Sequence, residues 1–258
     1  MKKFAFAAML LVLAGCNRPF TFVQMTDTQI GFVVGEARSD TMMRAAVAEV
    51  NALDPALVVI TGDLVDVAYS DLQDSIYFAR RAEIKAPVYE IPGNHDIRKG
   101  EPESRERYAR LHGETRFAFR KYGCAFIGMD SNCIKNDETE LEQEQLEWLE
   151  AQLKAARRAR YTFVFLHCPV IRQSIDEPED YFNFPFAKRS QYISLFKEYG
   201  VDAVFAGHTH IDYRTEYEGI GFYTAGPVGY AFDRDRSGYN VVKVGKDGFT
   251  VEYAETKL

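Results

Sequence analysis

Short apolar runs, each stopped by polar or metal-binding residues, alternate along this chain with segments of helical spacing. Residues 21–25 read as a buried strand halted by the turn Thr26-Asp27-Thr28. Over 41–53, Met43, Ala46, Val47, Val50 and Leu53 recur on one helix face, and Pro55 marks the end. Residues 56–60 are continuously apolar, as in strands covered by helices. A second amphipathic helix is expected over 70–84 and another strand over 87–91. This alternation of strand and helix predicts α/β architecture with a largely parallel region.

A charged helix is expected over 101–111, followed by paired strands over 116–121 and 124–129 around Tyr122-Gly123. Residues 138–160 read as one long surface helix with Leu141, Leu146, Leu149 and Leu153 on its apolar face. Two more buried strands, 161–166 and 201–206, are separated by an unusual loop and a helix over 188–199. The C-terminal segment predicts three or four antiparallel strands, with turns at Glu218-Gly219 and Lys246-Asp247-Gly248. No repeat or low-complexity linker interrupts the pattern. Residues 20–258 are therefore read as one domain with one large core.

Open α/β sheets bind ligands beyond the carboxyl ends of their strands. Asp27, Asp63, Asn94, His167 and His208 each follow an apolar strand within a few residues, so five loops can converge on one crevice. They belong to Thr26-Asp27-Thr28-Gln29, Gly62-Asp63-Leu64-Val65-Asp66, Gly93-Asn94-His95-Asp96 and Gly207-His208-Thr209-His210, with His167 standing alone between the last two. The chain has five histidines, and four of them fall here; His112 is read as a surface helix residue. Carboxylates, a carboxamide and imidazoles form a donor set of intermediate hardness. It suits divalent manganese, iron or zinc, while a pure magnesium site would use fewer imidazoles.

Composition narrows the partners. The chain is 47% hydrophobic and 27% charged with a formal net charge of -7, and no basic stripe is present. That argues against nucleic acid, whose backbone needs clustered positive charge. The densest basic run, Arg157-Arg158-Ala159-Arg160, ends a helix, where cations sit well against the dipole. Lys2 and Lys3 precede an apolar run over 4–14 that is too short to span a bilayer and reads as a signal peptide. Leu13-Ala14-Gly15-Cys16 resembles a bacterial lipobox. By that resemblance residues 1–15 are a lipoprotein signal peptide, Cys16 is lipidated, and 16–19 are a short tether. Asn17 in place of Asp favours the outer membrane facing the periplasm. Cys124, Cys133 and Cys168 are too few for a disulfide framework and read as small buried hydrophobes. No residue pattern fixes an oligomeric state.

The ordered motifs resemble the calcineurin-like metallophosphoesterases, whose pattern runs Asp-x-His, Gly-Asp-x-x-Asp, Gly-Asn-His-Asp/Glu, His, Gly-His-x-His. The resemblance covers the chain from about Phe20 onward. It implies an αββα sandwich, in four layers, of two mixed β-sheets flanked by helices, with two divalent ions at the strand ends. In that pattern Asp63 bridges the ions, Asp27 and His210 bind the first, and Asn94, His167 and His208 the second. Gln29 stands where the usual pattern has histidine; it can coordinate through its carbonyl oxygen or hold a metal-bound water. A branch of the family shares this Asp-x-Gln opening and includes a eukaryotic serine/threonine phosphatase, which Asp180-Tyr181-Phe182-Asn183 also resembles.

The implied reaction is in-line attack on a phosphomonoester by metal-activated hydroxide. His95 would serve the leaving group, oriented by Asp96, with Asp66 as a supporting acceptor. The aromatic, acidic segment 177–186 is expected to rim the crevice, with Tyr181 and Asn183 as substrate contacts. Arg98, Arg172 and Arg214 are further candidates to clasp phosphate. The expected substrate is a phosphorylated small molecule or a phosphopeptide. Two alternatives stand beside it: a phosphodiesterase acting on a nucleotide or lipid headgroup, and an inactive metal-binding surface lipoprotein.

Overall fold

The computed structural model describes residues 18–233 and 236–257. Its first half is a chain of parallel crossovers. Strands β1 (Phe20–Met25), β2 (Val58–Thr61) and β3 (Val88–Ile91) lie side by side, joined by helices α1 (Glu36–Ala52) and α2 (Asp71–Arg81). The C-terminal hairpin of β10 (Gly238–Val244) and β11 (Phe249–Glu255) adds antiparallel to β1, giving the order β11-β10-β1-β2-β3. The second sheet is built from β4 (Phe117–Lys121), β5 (Cys124–Gly128), β6 (Thr162–Phe165), β7 (Ala203–Ala206), β8 (Tyr213–Tyr217) and β9 (Ile220–Thr224), in the order β4-β5-β6-β7-β9-β8. Helices α3 (Pro102–His112), α4 (Asn132–Lys135), α5 (Thr139–Ala156) and α6 (Phe186–Tyr199) complete the α/β fold.

Strand alternation explains why the layers stack as they do. Side chains two apart share a face of a strand. Val23, Met25, Val58 and Ile60 therefore point to one core with Met43, Val47 and Val50 of α1. Phe22 and Val59 point the other way and meet Phe126, Phe163, Phe165 and Phe205 between the two sheets. On the far side Ile127, Val164 and Val204 pack against Leu149 and Leu153 of α5 and Phe196 of α6. Three cores between four layers make the expected two-sheet sandwich flanked by helices.

The space between the sheets turns polar toward the strand tips. Gln24 Nε2 donates to Thr61 Oγ1 at 2.9 Å and to the Ala206 carbonyl at 2.7 Å, while Asn240 Nδ2 donates to Gln24 Oε1 at 2.8 Å. This network ties both sheets together directly beneath the loops that carry the motifs.

Several expectations need correction. Helix α1 starts at Glu36 rather than at 41, because its first turn is mostly polar and carries no apolar periodicity. The long helix ends at Ala156, and Leu141 is exposed on it instead of joining the apolar face. The four C-terminal strands divide between the sheets, and β9 runs parallel to β7. His112 is no surface residue: its side chain is only 5% exposed, stacks on Phe78 and Tyr108, and bonds Glu90 at 2.9 Å.

Candidate metal centre

The motif loops turn sharply at the strand ends. Asp27, Gln29, Asp63, His208 and His210 all adopt positive φ, between 33° and 71°. Left-handed backbone of this kind costs energy in non-glycine residues and clusters at functional sites. The glycines beside them allow the loops to touch. A Cβ on Gly93 would lie 2.1 Å from Asp63 Oδ1, and one on Gly207 would lie 1.8 Å from Thr26 Oγ1.

These turns bring together one atom each from Asp63, His167 and His208, all within 4.8 Å of one another and all buried. Asp63 comes from the tip of β2, His167 from β6 and His208 from β7, so both sheets contribute. His167 Nδ1 bonds the Thr61 carbonyl at 2.8 Å, which requires a proton on that nitrogen. Its Nε2 then meets Asp63 Oδ2 at 3.3 Å and Asn94 Oδ1 at 3.1 Å. Three lone-pair atoms so close demand a proton or a cation between them. Burial opposes charge on His167, yet neighbouring Asp63 lifts its pKa to about 9. Burial would likewise raise Asp63, but His167 holds its carboxyl well below the ordinary range.

Burial and the nearby charge of His167 push His208 down to about 4, so its imidazole is neutral. Its Nε2 donates to the Tyr181 carbonyl at 3.0 Å, leaving the Nδ1 lone pair without a proton.

A parallel arrangement lies beside it. His210 Nδ1 bonds the Tyr230 carbonyl, so its Nε2 faces Asp27 Oδ1 at 3.4 Å. Burial opposes charge on His210, but Asp27 raises its pKa, and His210 in turn lowers that of Asp27 against the same burial. Asp27 Oδ2 accepts from Thr26 Oγ1 at 2.7 Å and from the His208 amide at 2.9 Å. Gln29 Oε1, buried, has no hydrogen-bond partner, and Asp27 Oδ1, also buried, has no contact of hydrogen-bond geometry beyond His210 Nε2 at 3.4 Å. Orphaned buried oxygens are costly unless something positive meets them. A divalent cation fits both, and the mixed oxygen and nitrogen donors match that chemistry.

His95 stands at the edge of the centre, and its orientation differs from expectation. Nδ1 bonds the Asp66 carbonyl at 2.8 Å and Asp66 Oδ1 at 3.1 Å. Asp96, expected to orient that ring, instead accepts from the amides of Leu64 at 2.9 Å and Gly93 at 2.8 Å. It is a buttress binding two motif loops, and burial with Asp63 nearby raises its pKa to about 7.

The other candidates separate clearly. Tyr181 reaches the centre, accepting from Asn94 Nδ2 through its hydroxyl at 2.9 Å while its ring lies 4.8 Å from that of His208. Asn183 is fully buried, and its amide donates within the loop to Glu177 at 2.8 Å and the Pro178 carbonyl at 2.9 Å. Arg172 pairs with Asp180 at 2.8 Å, and Arg214 donates to the Val251 carbonyl at 2.6 Å, linking edge strands of the two sheets. Arg98 alone of the three arginines lines the cavity that holds Asn94 and His208. Sequence reading missed Phe32 and Phe232, whose rings lie 5.3 and 4.6 Å from His210. Phe32 sits three residues past Gln29, the one available signal.

Comparisons with known proteins agree with this geometry. A family model described as calcineurin-like phosphoesterase matches residues 20–212. The serine/threonine-protein phosphatase CPPED1 of Bos taurus is 30% identical over 260 residues, covering 91% of this chain and 83% of its own length. The Homo sapiens protein of the same name is 29% identical over 252 residues, covering 88% and 80%. A solved dimetal phosphatase from Danio rerio superposes with a TM-score of 0.72 at 17% identity, covering 92% of this chain and 96% of that one, a likeness of fold.

The expected lipid-anchored, outer-membrane bacterial lipoprotein, with a membrane as partner, is corrected by these findings. Relatives that align along 91% and 88% of the chain are vertebrate phosphatases. Among the described residues no helix is long and apolar enough to cross a membrane. The signal peptide over 1–15 and the lipidation site Cys16 lie outside the described residues.

Proposed function

This chain belongs to the calcineurin-like phosphoesterase family and is a metal-dependent hydrolase, and from that premise we propose that it hydrolyses phosphomonoesters, with phosphoserine or phosphothreonine as the favoured class. The observation that carries the reading is the unpartnered Gln29 Oε1 and the Asp27–His210 pair beside it, next to the Asp63, His167 and His208 cluster. Two adjoining donor sets support two ions: Asn94, His167 and His208 on one side, Asp27, Gln29 and His210 on the other, and Asp63 common to both. Manganese, iron or zinc suits these donors. Bound divalent ions would supply Lewis acidity toward phosphoryl oxygens and lower the pKa of a water.

The chain's own groups do the rest. Asp66 fixes the His95 ring through Nδ1, so Nε2 is the nitrogen that can hand a proton to a departing alkoxide. Asp96 holds the second and third motif loops in register, and the Thr61, Tyr181 and Tyr230 carbonyls set the rotations of His167, His208 and His210. Tyr181, across from Asn94, forms a wall against which a phosphorylated side chain can lie. The serine/threonine specificity rests on the CPPED1 relatives and on the Asp-x-Gln opening.

Hydrolysis of mono-aryl and bis-aryl phosphates by protein loaded with manganese, iron or zinc tests the proposal. Turnover of the monoester well above the diester is expected. The reverse preference would make the chain a phosphodiesterase. Metal binding with no turnover of either would make it an inactive binding protein.

A further inference from the structure

A cavity of about 440 Å³ opens directly beside the metal centre, with Asn94 and His208 on one wall. Its other walls carry Arg98, Lys99 and Lys135, against a single carboxylate, Glu101. Arg98 is half exposed and shares Glu101 at 3.4 Å. Lys135, on α4, donates to the carbonyls of Asp180 at 3.1 Å and Asn183 at 2.6 Å. Among the described residues no carboxylate pairs with Lys99 or Lys135 within ion-pair distance. The chain as a whole carries a net charge of -7, so an excess of two positive charges in one cavity runs against its surroundings.

Resting on the monoesterase reading, we propose that this cavity is a substrate subsite for a second anionic group. A substrate whose phosphoester sits at the metal centre would project the neighbouring part of its skeleton past Asn94 and Tyr181 into it. The three cations there lie outside the set that could hold metal, so they add no charge to the transferring phosphoryl group. They select substrates that carry a further carboxylate or phosphate on one side. The shared chemistry is the second anion; an acidic residue flanking phosphoserine and a small bisphosphate both supply it.

The test compares kcat/KM within two substrate pairs on the metal-loaded full chain. One pair is a phosphoserine peptide flanked by aspartates and the same peptide flanked by asparagines. The other is a short diol bisphosphate and its monophosphate. Three partly exposed charge contacts together predict a preference of about tenfold for the more anionic member of at least one pair. The preferred pair identifies the source of the anion. In the Lys99→Ala, Lys135→Met double variant the ratio should fall toward one, whereas a merely structural loss would lower both members equally. Because Lys135 ties the loop around Asp180, Lys99→Glu, at an exposed position, repeats the test without disturbing that tie. Ratios near one in wild type for both pairs, or a ratio unmoved by either variant, overturn the subsite and leave the monoesterase reading standing. Turnover of no monoester, with a diester hydrolysed, overturns both.

Discussion

At Gln29 the chain presents a neutral carbonyl where the common family pattern has an imidazole, and that oxygen is buried without a partner. Its φ of 33° is in the left-handed region that histidine also tolerates. Gln29→His is therefore expected to fold and to bind the ion beside Asp27 more tightly. Calorimetric manganese titration checks this; unchanged affinity for both ions would show that Gln29 is no ligand. His95→Gln should lower kcat by about 10²–10⁴-fold while metal content holds. Asp66→Asn should lower it less, and metal analysis alongside single-turnover kinetics separates the two effects. At this scale the sequence was legible wherever chemistry alone names the residue: Asp27, Asp63, Asn94, His167, His208 and His210 do converge. Asp66 displacing Asp96 as the orienting partner of His95 was not legible. It depends on which way two adjacent loops turn back, and both Asp66 and Asp96 sit at motif positions that allow it.

Among the elements, strands β2, β5, β6 and β7 were legible because burial between two layers leaves largely apolar runs, and the edge strand β4 was legible from the Tyr122-Gly123 turn that pairs it with β5. The start of α1 was hidden in its polar first turn, and Lys135 sits on the one-turn helix α4, too short to show a period. The destinations of the C-terminal strands were invisible, since pairing partners are chosen by tertiary contact. The seating of His112 between α2 and β3 was hidden for the same reason. There Glu90 accepts from Arg81 Nε at 2.6 Å and Tyr77 OH at 2.8 Å and bonds His112 at 2.9 Å. Burial would raise the Glu90 carboxyl, but His112 and Arg81 hold it below its usual 4.5. A depressed carboxylate stabilises the fold fully above its unfolded pKa and stops doing so as pH falls through the folded value. Glu90→Gln should therefore cost about 1–3 kcal/mol at pH 7, since it removes the buried carboxylate that accepts from the partly exposed Arg81. The gap to wild type should narrow below about pH 4.5. Urea unfolding across pH 3–7 reads this directly; a pH-independent gap would contradict it.

For the whole molecule, the centre is the place where the two sheets of the sandwich meet over the Gln24–Asn240 network. Ligand atoms drawn from both sheets make bound metal a brace on the native state and on no unfolded one. At one hundred times its dissociation constant a single ion adds about 2.7 kcal/mol. For a chain of this size that corresponds to a rise in Tm of roughly 5–10 °C. Chelation should reverse it, and the shift should vanish in Asp63→Ala. The most direct measurement is anomalous diffraction from crystals saturated with manganese. One peak within coordination distance of Asp63, His167 and His208 is expected, with a second beside Asp27, Gln29 and His210. Saturated crystals with no anomalous density near Asp63 would contradict the metal-dependent assignment.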